Sequence, residues 1–268
     1  MKICENNTPL KAVVCGFERG GTTLLSEILK QHPMLASGFE GGFLLVDEVS
    51  EFLKLEPYCT NFKRGWQIED NDLDYICQAH TWANVYQRVI ERSPVIENKE
   101  TLIFDKTPKY MQDLPNVLKK VPNVSCIVLI RDPRAVLYSW AKRSQLDMEE
   151  WLSKNLKSAC TRYVSYLKGY TESASTSLNS RILLIRYEEI CLNQQQEAEK
   201  IFDFLKLDFD PSFISFQKNK SFPNVHGNQI SGSYLLEYES GFPKWACEKI
   251  LEFTKNFNEL CWFSSSLK

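Results

Sequence analysis

Residues 11–29, KAVVCGFERGGTTLLSEIL, constrain the fold of this 268-residue chain more than any other stretch. An apolar run at residues 12–15 breaks at Gly16, and a glycine-containing loop follows it. Leucine and isoleucine then recur at helical spacing over residues 24–29. The segment is therefore predicted to form a strand, a loop and a helix, in that order.

The loop has a spacing that is typical of phosphate binding. Gly16 is followed by four residues and then by Gly21, Thr22 and Thr23, so Thr22 stands where a triphosphate-binding loop has its lysine. That lysine reaches the outer phosphates of ATP or GTP, and its absence disfavours a triphosphate. Backbone N–H groups at the helix start, together with Arg19, can still hold a 5′-phosphate. The alternative is a tight strand-to-helix turn that needs only its glycines.

Further apolar runs alternate with helical patterns along the chain. The additional predicted strands are residues 101–104, 124–130 and 181–186. The predicted helices are residues 71–92, 108–119, 148–173, 198–205 and 243–260, with one more beginning at Pro133. Residues 52–69 and 208–242 are predicted to be irregular, and a loop at Gly41 and Gly42 leads into a further helix. The alternation predicts an α/β fold, a three-layer P-loop-like parallel sheet flanked by helices, in a single domain over residues 1–268.

Composition narrows the function classes. A net charge of −2 gives no global reason to expect nucleic-acid binding, so any polyanion site must be local. No apolar run approaches the ~20 residues of a membrane span, and no signal-peptide core is found, which predicts a cytoplasmic location. Nine cysteines occur without a C-x-x-C pair, so they are predicted to be reduced core residues. No metal site is predicted.

A second candidate anion site follows the apolar run 124–130. Arg131 ends that run, Pro133 begins a helix, and Ser139 comes eight residues after the arginine. Arg131 can bind a phosphate in a bidentate manner, and Ser139 can add a hydroxyl hydrogen bond. The alternative is an arginine that pairs with a carboxylate at the sheet edge. Together with the first loop, this segment suits a bis-phosphorylated nucleotide.

In these two segments the chain resembles the PAPS-dependent sulfotransferases, with motifs most similar to those of the bacterial-type and tyrosylprotein branches. PAPS is 3′-phosphoadenosine 5′-phosphosulfate, the sulfuryl donor, and its product is 3′,5′-bisphosphoadenosine (PAP). The resemblance spans about residues 11–260 and implies transfer of a sulfuryl group to a hydroxyl or amine by in-line displacement. The implied cofactor-binding residues are Arg19, Gly20, Gly21, Thr22, Thr23, Arg131, Ser139, Tyr187 and Lys244.

The resemblance also implies catalytic roles for Glu40, Lys106 and Arg19. Glu40 is the candidate base, and Lys106 and Arg19 are expected to stabilise charge on the transferring and leaving groups. His226 is an alternative base. Glu40 could instead be an ordinary first-turn glutamate, and Lys106 a solvated lysine at a strand end.

Several questions stay open in the sequence. No Arg-Lys-Gly element completes the 3′-phosphate site, and Ser231, Ser233 or Lys244 could replace it. The acceptor could be a small molecule, lipid, saccharide or peptide. Four aromatic residues could either line an acceptor pocket or belong to the core: Trp66, Tyr75, Trp82 and Tyr86. His32 is expected at the surface beside Pro33, and His80 partly buried in a helix. The rival functions are a P-loop nucleotide or small-molecule kinase and a non-catalytic nucleotide-binding protein of the same fold.

Overall fold

A computed structural model describes residues 8–216, 230, 232, 234–257 and 259–261. Within these ranges the chain forms one five-stranded sheet in the order β2-β3-β1-β4-β5, and every neighbouring pair is parallel. The predicted α/β class with a parallel sheet is confirmed. The strands are β1 (Leu10–Gly16), β2 (Leu35–Ala36), β3 (Leu102–Lys106), β4 (Ser125–Ile130) and β5 (Ile182–Arg186).

Helices connect the strands and cover the sheet. They are α1 (Thr22–Lys30), α2 (Tyr58–Trp66), α3 (Asp70–Cys77), α4 (Trp82–Arg92), α5 (Leu114–Lys120), α6 (Pro133–Ala141), α7 (Met148–Ala174), α8 (Tyr187–Leu192), α9 (Gln194–Phe204), α10 (Glu237–Gly241) and α11 (Lys244–Thr254). No helix among the described residues combines the length and apolar composition that a membrane crossing requires.

The central strands are buried on both faces, as their apolar sequences predict. In β1, Ala12 and Val14 pack with α1, α8 and α9, whereas Val13 and Cys15 join a larger core that includes α4 to α7. This alternation follows from the two-residue period of a strand. The result is the predicted three-layer arrangement of helices, sheet and helices.

The carboxyl ends of four strands lie at one edge of the sheet. β1 leads into the glycine loop, β3 ends at Lys106, β4 ends just before Arg131, and β5 ends just before Tyr187. Gly16 pairs with Leu129, and a Cβ on Gly16 would lie 2.5 Å from the Leu129 carbonyl oxygen. Parallel sheets place ligands at this edge, and the predicted phosphate loops meet there.

The predicted helix over residues 71–92 is wrong in one respect, because the structure has two helices there. α3 ends at Cys77 and α4 begins at Trp82. Thr81 caps α4 by accepting a hydrogen bond from the Asn84 N–H at 3.2 Å. A threonine at this position starts a new helix, and His80 lies exposed between the two helices.

Local predictions also fail in the flanking segments. Residues 52–69 are not irregular, because they contain α2, and the segment after Gly42 forms 3-10 turns at Phe43–Leu45 and Val49–Lys54. The last helix is shorter than predicted and continues as the 3-10 turn Lys255–Phe257. The segment 208–242 contains the short helix α10 within its described part.

His32 is buried rather than at the surface. Its ring lies 5.6 Å from the rings of both Phe202 and Phe213, and its Nδ1 accepts the Met34 N–H at 3.1 Å. Pro33 does end the helical region locally, but α9 then covers the turn. Burial here depends on a contact with a segment far along the chain, which the local sequence does not encode.

Candidate active site

The loop between β1 and α1 is a tight turn held by its own backbone. The Gly20 N–H donates to the Phe17 carbonyl at 2.9 Å, so it is used within the loop. Gly21 has a φ of 99°, in the left-handed region that favours glycine. A Cβ on Gly21 would also lie 2.2 Å from the Tyr187 ring. Glycine is therefore required at this position by both conformation and packing.

The amino-terminal end of α1 opens into a cavity of about 460 Å³. No side chain among the described residues caps this end, so its first N–H groups are available to an anion. Thr22 and Thr23 both line the cavity. The polar and aromatic residues around them are Arg19, Arg131, Tyr138, Ser139, Lys142, Arg143, Tyr187, Phe216, Tyr234, Glu237 and Tyr238.

Three arginines converge on this cavity. Burial lowers the pKa of Arg19, and the nearby Arg143 and Arg131 lower it further. The Arg19 Nε donates to the Ser139 Oγ at 3.3 Å. Arginine stays charged despite such shifts, so the three like charges repel each other until an anion binds between them.

Arg131 is held in place without an ion pair among the described residues. One of its terminal nitrogens donates to the Arg19 carbonyl at 3.2 Å, and its guanidinium stacks 4.4 Å from the Tyr187 ring centroid. Its Nε is buried and has no hydrogen-bond partner within the described part of the chain. A buried donor of this kind is costly unless a ligand satisfies it.

The carboxylate at the sheet edge, Asp132, pairs with Arg134 and not with Arg131. Asp132 binds Arg134 through both carboxylate oxygens, at 3.0 and 2.5 Å. Its backbone N–H donates to the Glu188 carboxylate at 2.8 Å, which fixes the turn after β4. Arg131 is thereby left to face the cavity.

Glu40 and Lys106 form an ion pair at 3.4 Å beside the glycine loop. The Lys106 side chain is 4% exposed and that of Glu40 is 19% exposed. Burial raises the pKa of Glu40, and the ammonium of Lys106 partly lowers it again. Burial lowers the pKa of Lys106, opposed by Glu40. The Lys106 ammonium also lies 4.5 Å from the Phe39 ring centroid. Lys106 is therefore not a solvated lysine.

Asp105 anchors the loop that carries Glu40, and sequence reasoning missed it. Its Oδ2 accepts the hydroxyls of Tyr86 and Tyr110, both at 2.7 Å. Its Oδ1 accepts the Thr107 hydroxyl at 2.8 Å and the Gly41 N–H at 3.2 Å. A Cβ on Gly41 would lie 2.4 Å from this carboxylate. The network fixes the backbone directly after Glu40.

The structure does not bring every predicted residue to the cavity. Glu40 and Lys106 are not among the residues that line it. Lys244 lies at the start of α11 with a 91% exposed side chain, 3.8 Å from Glu248. Gly20 is buried behind the loop, and its N–H is already used. His226, Ser231 and Ser233 lie outside the described residues.

Two cations that line the cavity were missed by the sequence interpretation. Arg143 and Lys142 follow Ser139 by four and three positions. α6 ends at Ala141, so both cations lie in the turn that directly follows the helix carrying Ser139. Lys142 pairs with Glu237 of α10, whereas Arg143 contributes to the repulsion at Arg19.

A larger cavity, about 870 Å³, lies at the other end of the sheet, near Thr8 and Val124. Its half-buried cation, Lys120, donates to the carbonyls of Leu44 and Val46 and pairs with Asp47 at 3.1 Å. It therefore lacks the unpaired charge of the smaller cavity. Across the described residues, no group of three or more metal-binding side chains is found.

Comparison with known proteins agrees with this geometry. The sulfotransferase family model matches residues 11–211, and the chain belongs to the sulfotransferase family.

Individual relatives are distant. Protein-tyrosine sulfotransferase A of Caenorhabditis elegans is 20% identical over 225 residues, covering 80% of this chain and 54% of that protein. The chain thus spans about half the length of this relative. The sulfotransferase domain of the Synechococcus PCC 7002 olefin synthase has a TM-score of 0.65 at 20% identity, covering 94% of this chain and 96% of the domain. A mouse sulfotransferase complexed with PAP has a TM-score of 0.57 at 14% identity, covering 95% and 87%. The structural matches show the shared fold.

Proposed function

We propose that the protein is a PAPS-dependent sulfotransferase that transfers a sulfuryl group to a hydroxyl or amine acceptor. The observation that carries this proposal is the convergence of Arg19, Arg131 and Arg143 on the uncapped end of α1. The buried, unpartnered Nε of Arg131 fits an anionic ligand. The cavity volume lies within the range of nucleotide-sized pockets. Membership in the sulfotransferase family supports the same donor.

The donor's two anionic ends match two parts of the cavity. The N–H groups at the start of α1, the hydroxyls of Thr22 and Thr23, and the Arg19 guanidinium would hold the 5′-phosphosulfate. Arg131 and Ser139 would hold the 3′-phosphate, with Arg143 as a further cation. Tyr187 orients Arg131 by stacking beneath it. Arg143 is the one residue in these assignments that the sequence did not predict as a binding residue.

Catalysis requires a base and a stabiliser for the leaving group, and both lie outside the lining of this cavity, in the Glu40–Lys106 pair at the end of β3. PAPS supplies the sulfuryl group, which passes to the acceptor oxygen or nitrogen as the bond from sulfur to the bridging oxygen breaks. Glu40 accepts the acceptor's proton, and burial favours this role by raising its pKa. Lys106 and Arg19 provide fixed positive charge where negative charge develops on the leaving oxygen.

Glu40 and Lys106 face each other as an ion pair in a largely buried place. Each charge offsets part of the burial cost of the other. The Asp105 network holds the adjacent backbone, so Glu40 does not depend on a mobile loop for its position. Base and cation are thus preorganised before an acceptor arrives.

The acceptor class is a finer part of the proposal. The similarity to a protein named as a protein-tyrosine sulfotransferase makes a tyrosine side chain in a peptide the first acceptor to test. Small-molecule, lipid and saccharide hydroxyls are the alternatives. Trp66 and Tyr86 are core residues, 1% and 2% exposed, and do not line an acceptor pocket. A cytoplasmic location and a single domain over the whole chain stay predictions.

The test is sulfuryl transfer from PAPS to a panel that includes a tyrosine peptide, followed by mass spectrometry and by PAP release. Glu40→Gln is expected to bind PAP normally but to lose most turnover, about 10²-fold or more. In the parent, Glu40 must be ionised to act, so the rate should fall at acidic pH. The midpoint of that fall should lie above 4.5, the ordinary glutamate pKa, because burial raises the pKa of Glu40. Glu150→Gln, at an exposed ion pair on α7, is the matched control. Full turnover by Glu40→Gln would remove Glu40 as the base.

A further inference from the structure

Glu18, the residue directly before Arg19, points to α7 and not into the cavity. Its Oε1 accepts the Tyr166 hydroxyl at 2.8 Å and pairs with the Arg162 guanidinium. Both partners lie on α7, one turn apart. Glu18 does not line the nucleotide cavity, and one of its carboxylate oxygens is engaged by α7.

The preceding residue reinforces the same attachment. The Phe17 ring packs against Tyr166 at 4.8 Å, Tyr163 at 5.1 Å and Trp140 at 5.6 Å between ring centroids. Phe17 is 3% exposed. The first half of the glycine loop is therefore fastened to α6 and α7 by the three ring contacts of Phe17 and by the contacts of Glu18 with Arg162 and Tyr166.

Arg19 itself has an unfavourable backbone. Its φ is 68°, a left-handed conformation that is uncommon for a residue with a Cβ. Such a conformation persists only where the surroundings impose it. On its carboxyl side the Gly20 N–H closes the turn back to Phe17, and Arg131 holds the Arg19 carbonyl. On its amino side the restraint is Glu18.

We infer that Glu18 is a positioning residue: its contacts with Arg162 and Tyr166 hold the left-handed turn that directs Arg19 toward the donor's sulfuryl and 5′-phosphate groups. The inference rests on the proposed function and extends it to a residue that does not contact the donor. It follows from the position of Glu18 between the fastened Phe17 and the strained Arg19.

The electrostatics of Glu18 favour a positioning role over a stabilising one. The side chains of Glu18 and Arg162 are 29% and 41% exposed, and ion pairs that exposed add little to folding. The second carboxylate oxygen of Glu18 is buried and lacks a partner among the described residues. An unpaired buried oxygen opposes folding. A role of the Glu18 side chain in holding the backbone of the loop explains why a glutamate lies beside Arg19.

The test is a double-mutant cycle read by calorimetric binding of PAP. Glu18→Ala should weaken PAP binding about tenfold, the size expected when a charged hydrogen bond is lost. Tyr166→Phe, which keeps the ring, should weaken it in the same direction and by less. In an Arg19→Ala background, Glu18→Ala should have no further effect, because Glu18 acts through Arg19.

Steady-state kinetics separate positioning from general damage. Glu18→Ala should raise the KM for PAPS and lower kcat while leaving the KM for the acceptor unchanged, and Glu18→Gln should restore part of the loss. Glu150→Gln, on the helix α7 that carries Arg162 and Tyr166, should match the parent. Additive effects of Glu18→Ala and Arg19→Ala, or parent-like PAP binding by Glu18→Ala, would overturn the inference. Absence of PAP binding in the parent would instead overturn the proposed function.

Discussion

Replacing Asp105 by Asn tests whether a buried carboxylate fixes the catalytic loop. Asp105 is fully buried and accepts four hydrogen bonds, two on each oxygen. Asparagine has nearly the same shape but only one acceptor oxygen. The Gly41 N–H cannot rotate away, so the amide oxygen must take the Oδ1 position and the NH₂ must face the hydroxyls of Tyr86 and Tyr110.

The magnitude follows from the bonds that change. Two charge-assisted hydrogen bonds at Oδ2 are lost, and each contributes about 1.5–3 kcal/mol. The cost of burying the charge is removed at the same time, and rotation of the two hydroxyls recovers part of the loss. We expect Asp105→Asn to lower the free energy of unfolding by about 2–4 kcal/mol. Because Gly41 follows Glu40, kcat should also fall.

Urea unfolding followed by circular dichroism measures the first effect, and PAP release measures the second. Asp208→Asn, an exposed aspartate, is the matched control and should be neutral. Burial raises the pKa of Asp105, whereas the hydrogen bonds from Tyr110, Tyr86 and Thr107 lower it. Unchanged stability in Asp105→Asn would show that the residue is already protonated, and would refute the ionic anchor.

Two further predictions concern residues around Arg131. Burial raises the pKa of Glu188 to about 7 from an ordinary 4.5. As the pH rises, the Glu188 carboxyl therefore loses its proton in the unfolded chain before it does in the folded one. The free energy of unfolding should fall by at most about 3 kcal/mol between pH 4.5 and 7. Glu188→Gln should lack this slope in urea titrations at several pH values, and an unchanged slope would count against Glu188 as its source. Gly21→Ala should cost about 1–2 kcal/mol of unfolding free energy from its left-handed backbone alone, and should also weaken PAP binding in calorimetry by displacing Tyr187 from Arg131. Parent-like PAP binding would mean that the Tyr187 stack does not orient Arg131.

The glycine loop was predictable because its information is local. Gly16 and Gly21 are required by a close strand approach, a left-handed turn and the Tyr187 ring. The apolar run before Arg131 likewise predicts a buried strand whose end carries that residue. Parallel topology then brings both segments to one edge. The fold class and the first anion site follow from these features.

The support of the site was not predictable, because its parts come from separate segments. Asp105 gathers donors from Gly41, Tyr86, Thr107 and Tyr110, and no short pattern links these positions. The contact of Glu18 with α7 spans more than a hundred residues. Buried polar networks depend on tertiary packing, so sequence spacing identifies the residues that face a ligand better than those that hold them.

Helix boundaries failed for a related reason. The periodic apolar pattern over residues 71–92 continues across Thr81, although a threonine there can cap a new helix. His32 reads as a surface residue until α9 covers it. The first error comes from a helix start inside a continuous apolar pattern, and the second from a contact with a segment far along the chain.

The most direct test of the central claim is calorimetric titration with PAP in the absence of metal, compared with Mg-ATP. The account predicts PAP binding that Arg131→Ala weakens about thirtyfold or more, as loss of a charged bidentate contact requires. Arg64→Ala, which removes an exposed arginine on α2, should bind like the parent. Binding of Mg-ATP without binding of PAP would contradict the sulfotransferase proposal and favour a kinase.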